Sequence, residues 1–245
     1  RPVTLKRGQI RIAHFAHKPP TDCSWAQGET LAHLEAKKRI CGAFASRGLR
    51  AEVEYVVPSL PSYRRADVMI WSPSNVRVAV ELQHTSISID EIEKRAFSYA
   101  RAGVAQVWVP FLRPFIWREA EQLEAGKDGD FFIRKYPARP FERWVHEFHC
   151  PDFWFYDPSA RVLWRGRFED HYLWVNESRW YNDSGEEVHG GGHRRYSRRW
   201  KELTLWGPYA LDQVRIKIAR RKELGSDRYY MPPGRLARFV IDKNI

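Results

Sequence analysis

Two short apolar runs, ADVMIW (66–71) and RVAVELQ (77–83), are separated only by Ser72, Pro73, Ser74 and Asn75. Runs this brief and this continuously apolar read as buried strands, and a Ser/Pro/Asn break folds one back on the other. Each nevertheless carries an acid: Asp67 sits between Ala66 and Val68, and Glu81 between Val80 and Leu82. Folding about the turn places Asp67 near the start of one strand and Glu81 near the end of the next. The two carboxylates then meet at one end of the sheet. Like-charge repulsion opposes such a pair, and burial adds desolvation. A divalent cation with hard oxygen ligands, Mg²⁺ or Mn²⁺, resolves the conflict and can activate water against a phosphate. An edge position or an ion pair explains a lone strand acid more readily than it explains this pair.

The flanking sequence extends the pattern. From Glu29 to about Arg47, Leu31, Leu34, Ile40 and Phe44 recur at near-helical spacing, with Gly48 placed to close the helix. AEVEYVV (51–57) alternates as a strand and ends at Pro58. Ser88 and Glu91 form a capping box for a helix over 88–103 that stops at Gly103, and AQVWVPF (105–111) is a further buried strand. Strand, helix and strand in one sheet imply a right-handed parallel crossover. On the first helix Glu29, His33 and Lys37 stand four apart on one face. That face would bring a third acid, an imidazole and a cation to the carboxylate end of the hairpin.

Beyond Phe111 the character changes: eight of the eleven tryptophans lie there, interleaved with arginine. Short strands are expected at 161–168, 171–178 and 201–207, and residues 185–200 read as a mobile basic loop. The expected organisation is an N-terminal segment (1–28) with an HFAHKP motif, a core (29–111), and a basic, Trp-rich, partly β elaboration (112–245). The class is α/β in the core and α+β overall. A chain of 245 residues with 43% apolar content suits one large domain or a core with an elaboration. No apolar run approaches the roughly 20 residues that span a bilayer, so membrane association is not expected. The formal charge of +11 points to a polyanionic partner, nucleic acid foremost. Three cysteines without a paired framework fit a reducing cytoplasm. The chain opens at Arg1 with no signal-peptide core, so a trimmed or processed chain with sequence missing upstream is expected.

Weaker signals are of three kinds. His14, His17, Cys23 and His33 superficially resemble a zinc set, but their spacing fits no finger pattern and structural zinc is not expected. His189 and His193 flank three glycines without an acid or cysteine at ligand spacing, as in a flexible loop. In HRRYSRRWK (193–201), Arg194, Arg195, Arg198 and Arg199 could neutralise phosphates while Tyr196 and Trp200 stack on bases. The competing reading of that segment is a core Trp200 beside a solvated basic face.

HFAHKP (14–19), ETLAHLEAKK (29–38), VEY (53–55), RRADV (64–68), VELQHTSIS (80–88) and KRAFSYARAGVAQVWV (94–109) together resemble the CoiA-like competence nucleases. These form a branch of the PD-(D/E)xK restriction-endonuclease-like superfamily, and the resemblance covers about residues 10–111. It implies a restriction-endonuclease-like core of order αβββαβ. Asp67 and Glu81 would be metal ligands, with the Leu82 carbonyl as a third contact. Glu29 would be the first-helix acid, with Glu54 as its competitor. Gln83 stands where the superfamily usually has lysine; glutamine can hydrogen-bond but brings no positive charge. Lys37 or His33 could supply that group. Arg95 and Tyr99 match a family arginine and tyrosine, for phosphate contact or for bracing the helix. The implied activity is hydrolysis of DNA phosphodiester bonds with Mg²⁺ or Mn²⁺ as cofactor. Single- or double-stranded DNA is the expected partner, in a bacterial cytoplasm, for DNA uptake and recombination or for defence against foreign DNA. The alternative is a weakly active or inactive DNA-binding protein that keeps the nuclease fold. Oligomeric state is left open, a dimer included.

Overall fold

The computed structural model describes residues 3–6, 14–17, 30–58, 63–221 and 229–242. A short antiparallel pair, β1 (Val3–Lys6) and β2 (His14–His17), precedes the core. The core runs α1 (Leu31–Ala45), β3 (Ala51–Pro58), β4 (Tyr63–Trp71), β5 (Arg77–Gln83), α2 (Ile89–Arg101) and β6 (Ala105–Pro110). This is the expected αβββαβ order. The four strands form one sheet in the order β3-β4-β5-β6, with β5 and β6 parallel across the α2 crossover and the other pairs antiparallel.

Local chemistry sets the helix ends. The Thr30 hydroxyl accepts the His33 N–H at 3.2 Å and starts α1; Gly48, at φ +80°, turns the chain after it. Ser88 caps α2 in the same way, accepting the Glu91 N–H at 3.2 Å. Only that half of the expected capping box forms among the described residues. The Glu91 carboxylate turns instead to Arg95 and Arg64.

The sheet is covered on both faces, which is why its central strands are so continuously apolar. Ala36, Ile40 and Phe44 of α1 pack on Val68, Ile70, Val80 and Leu82. On the other face Tyr99 of α2 packs with Met69, Trp71 and Ala79.

The C-terminal half contains β7 (Glu121–Gln122), β8 (Phe131–Tyr136), α3 (Pro140–His149), β9 (Phe153–Asp157), β10 (Val162–Val175), β11 (Ser178–Tyr181) and β12 (Glu187–Gly190). It ends with β13 (His193–Tyr209), β14 (Val214–Arg221) and β15 (Gly234–Ile241). Five strands make an antiparallel sheet in the order β7-β8-β13-β10-β9. Its core is continuous with the first: Ile92 and Ala96 of α2 and Trp108 of β6 pack with Phe141, Trp144 and Phe148 of α3. The Trp108 N–H donates to His149 Nε2 at 3.0 Å, and a bridge joins Phe111 to Tyr156.

Two expectations are corrected here. The segments at 161–168 and 171–178 belong largely to one strand, β10, interrupted by a bulge between Asp170 and Tyr172. The basic segment 185–200 is no loop: β12 and the start of β13 occupy most of it. Cross-strand pairing, of β12 with β11 and of His193–Tyr196 with β10, rather than burial of a face, makes it extended, so it lacks apolar alternation. The turn between them needs Gly191, at φ +94°, because a Cβ there would lie 2.0 Å from the Asn176 carbonyl oxygen.

Candidate active site

The β4–β5 ladder runs from Trp71↔Arg77 to Val68↔Val80. One step further stand Asp67 and Glu81. There a side chain replaces the backbone ladder: Asp67 Oδ2 accepts the Leu82 N–H at 2.8 Å. The strand alternation breaks at this point. Ala66 joins the α2-side core, whereas Val68, two residues on, joins the α1-side core. Glu54, flanked by the pairs Val53↔Val68 and Tyr55↔Ala66, stands across from Asp67 at φ +57°, a left-handed conformation uncommon for a glutamate. Both strands switch face together, and the switch carries the Asp67 carboxylate to α1.

Helix α1 meets it with His33 and Lys37. The His33 Nε2 lies 3.3 Å from Asp67 Oδ2 and donates to it, since an ionised carboxylate only accepts. Lys37 is wholly buried; its ammonium bonds Glu54 Oε1 and lies 3.9 Å from Asp67 Oδ1. Glu54 also pairs with Arg65 at 2.6 Å.

Glu81 is buried on the α2 side. Its Oε1 accepts the Tyr99 hydroxyl at 2.6 Å, and Arg95 Nη1 lies 3.8 Å from Oε2. Burial, and then the Asp67 charge, push the Glu81 carboxyl up to about 8 against the opposing pull of Arg95, Tyr99 and the Asp67 backbone N–H. Burial and the facing Glu81 likewise raise the Tyr99 phenol well above its ordinary value.

A groove of about 510 Å³ opens beside the strand ends, lined among others by Asp67, Leu82, Gln83, Thr85, Ser88 and Arg95. Gln83 is nearly buried and donates its side-chain N–H to the Thr85 carbonyl at 2.7 Å, holding the turn into α2. Leu82 meets Asp67 through its N–H. Arg95 also bonds Glu91 at 2.9 Å, and Arg64 joins Glu91 at 3.3 Å, so both arginines are paired with one acid on the groove's wall.

Asp67, Glu81, Leu82, Gln83, His33, Lys37 and Arg95 therefore converge on one end of the sheet. Glu29 lies outside the described residues, as do Cys23 and the side chains of His14 and His17. Arg194, Arg195, Tyr196, Arg198, Arg199 and Trp200 stand elsewhere, on β13. Sequence reasoning missed the contact of Tyr99 with Glu81 and the role of Glu54 as partner of Lys37. The signal for the second was Glu54 in the VEY motif, which marked it as a competing acid but not as a partner of Lys37.

Among the described residues no three His, Cys, Asp or Glu side chains gather as a metal cluster. The donors at the strand ends are two carboxylates, Asp67 and Glu81. That set suits Mg²⁺ or Mn²⁺ rather than zinc, because Mg²⁺ is commonly held by one or two carboxylates and completes its shell with water and phosphate. No helix among the described residues is long and apolar enough to cross a membrane.

Residues 29–164 match the nuclease-like domain of competence protein CoiA, and residues 1–26 match the N-terminal domain of the same protein. No curated protein and no solved structure matches the chain. The nuclease-like match spans more than half of the sequence and contains the whole strand-end site, so the chain belongs to the CoiA nuclease-like family.

Proposed function

We propose that this chain is a metal-dependent nuclease that hydrolyses DNA phosphodiester bonds. The observation that carries the reading is the meeting of Asp67 and Glu81 where β4 and β5 part, beside a groove with Arg95 on its wall. Two carboxylates held together against their own repulsion are suited to a divalent cation. Bound there by Asp67 and Glu81, with the Leu82 carbonyl available, Mg²⁺ or Mn²⁺ would supply an activated water and charge stabilisation at phosphorus.

The chain's own groups do the rest. Arg95, partly exposed in the groove, offers a guanidinium to a phosphate oxygen. His33 and Lys37 hold the Asp67 carboxylate from the helix side, and one of them would supply from α1 the positive group that Gln83 does not bring. Gln83 and Ser88 shape the groove. DNA uptake and recombination, or defence, remain the settings in which such an activity would serve.

One observation favours the non-catalytic alternative. Gln83 commits its amide to the Thr85 carbonyl and leaves the motif-lysine position without a cation.

Incubation of labelled single- and double-stranded DNA with Mg²⁺, Mn²⁺ or chelator, beside Asp67→Ala and Glu81→Ala, separates the two. Loss of a group worth several kcal/mol in the transition state should slow cleavage about 100-fold or more in each variant. DNA binding without metal-dependent cleavage by pure wild-type protein would favour the alternative. Equal cleavage by both variants and wild type would place the site elsewhere.

A further inference from the structure

Strands β10 and β13 outrun the sheet they belong to. β9 pairs β10 only over Val162–Gly166, and β8 pairs β13 only between Lys201 and Leu205. From Tyr172 to Val175 and from His193 to Tyr196 the two strands have, among the described residues, only each other as ladder partners. The result is a projecting two-stranded ribbon, tipped by the β11–β12 hairpin.

Its base is braced. At the bulge the Ser197 hydroxyl accepts the Arg199 and Trp200 N–H groups at 3.2 and 2.9 Å. Arg143 of α3 donates to the Arg199 carbonyl at 3.0 Å.

The register sorts the ribbon's side chains. Directly paired residues share a face, as do alternate residues along a strand. Tyr172 pairs with Tyr196 and Trp174 with Arg194, so three aromatic rings and a guanidinium stand on one face. Tyr172, Trp174 and Tyr196 are 56%, 62% and 43% exposed, where a folded chain would ordinarily bury rings of that size. Alternate residues on a strand are about 6.8 Å apart. That is twice the 3.4 Å step of stacked bases, so the thickness of one base fits between neighbouring rings.

Charge identifies the occupant. From His193 to Trp200 the strand has four arginines and no acid. Arg194, Arg195, Arg198 and Arg199 form no ion pair with an acid among the described residues. Arg198 and Arg199 also line, with Arg143, a depression of about 280 Å³ whose lining includes no acid. The Arg143 Nε is buried there without a hydrogen-bond partner. Clustered guanidinium groups repel one another unless a polyanion supplies the counter-charge.

We propose that the ribbon binds unpaired nucleic acid, with bases stacked on Tyr172, Trp174 and Tyr196 and phosphates held by Arg198, Arg199 and Arg143. Duplex bases keep their faces turned to one another, so the rings select the single strand. The inference rests on the reading of this chain as one that acts on nucleic acid.

The test is fluorescence anisotropy of the full chain with a labelled thymidine oligonucleotide, and with its duplex, in chelator so that nothing is cleaved. Trp174→Ala and Tyr172→Ala should each weaken single-strand binding about ten-fold, while Trp174→Phe, which keeps a ring, stays close to wild type. Arg198→Ala with Arg199→Ala should weaken both ligands and flatten the salt dependence. Wild-type single-strand affinity in both ring-to-alanine variants would overturn the inference. So would a wild-type oligomer that Trp174→Ala converts to monomer without loss of oligonucleotide binding; the ribbon would then join copies of this chain. Cleavage with Mn²⁺, measured separately, keeps the two readings apart. Ring-dependent binding without cleavage would remove the nuclease reading alone, and cleavage with ring-independent binding would remove the ribbon inference alone.

Discussion

The Tyr99 hydroxyl donates to Glu81 Oε1 at 2.6 Å, with both side chains almost inaccessible to solvent in the wall shared by α2 and β5. The bond fixes which way one candidate metal ligand points. Tyr99→Phe removes the donor and keeps the ring. It should cost about 1–2 kcal/mol in urea denaturation and raise the Mn²⁺ concentration needed for half-maximal cleavage. A variant unchanged in both respects would show that the bond positions nothing.

Glu81 itself works against the stability of the metal-free fold, since burial and the Asp67 charge both disfavour its ionised form. Glu81→Gln preserves shape and removes the conflict. In chelator the variant should be more stable than wild type by about 1–2 kcal/mol, while metal-dependent cleavage disappears. A less stable variant would mean that the carboxylate has a structural role beyond the site.

Lys37 has no solvent exposure, and Glu54 is its close partner. Removing one member of a buried pair leaves a charge poorly compensated, although Asp67 at 3.9 Å softens the effect here. Glu54→Ala should therefore lower stability by about 2–3 kcal/mol, and adding Lys37→Met should restore part of that loss. Additive losses in the double variant would indicate that the two residues do not act together.

His146 packs edge-on against Phe153 and Phe168 and donates to the Pro151 carbonyl at 3.0 Å. Burial pushes its imidazole down to about 4, against about 6.5 in an unfolded chain. Between those values the unfolded state binds the extra proton. The stability that depends on a neutral His146 is complete above pH 6.5 and falls away as pH drops toward 4, by on the order of 2 kcal/mol. Denaturation of wild type and His146→Phe at pH 7.5 and pH 5 should show a smaller acid loss in the variant. Equal losses would assign the pH dependence to other groups.

Much of the core was readable because its rules are local. Periodicity marked α1, end signals at Ser88 and Gly103 marked α2, continuous apolar runs marked β4, β5 and β6, and the Ser72–Asn75 turn placed Asp67 and Glu81 at one end of the sheet. What escaped depended on long-range pairing. Nothing near Glu54 announces a left-handed residue opposite Asp67, because the face switch exists only once β3 and β4 are side by side. The segment around Arg194–Arg199 looked like loop for a related reason: a ribbon with two exposed faces has no buried side to impose alternation. Tyr99 was legible as a helix residue facing the sheet, but its partner on β5 was not, since that contact depends on how α2 is seated.

The bond from the Trp108 N–H to His149 Nε2 reaches beyond local packing. β6 is the last strand of its sheet, and a terminal strand with bare amides invites a strand from another molecule. By placing an imidazole on that border, α3 shields the four-stranded sheet from unwanted partners. A chain cut after Phe111 would keep every residue described at the strand ends yet lose this shield. It should precipitate where the whole chain stays dispersed.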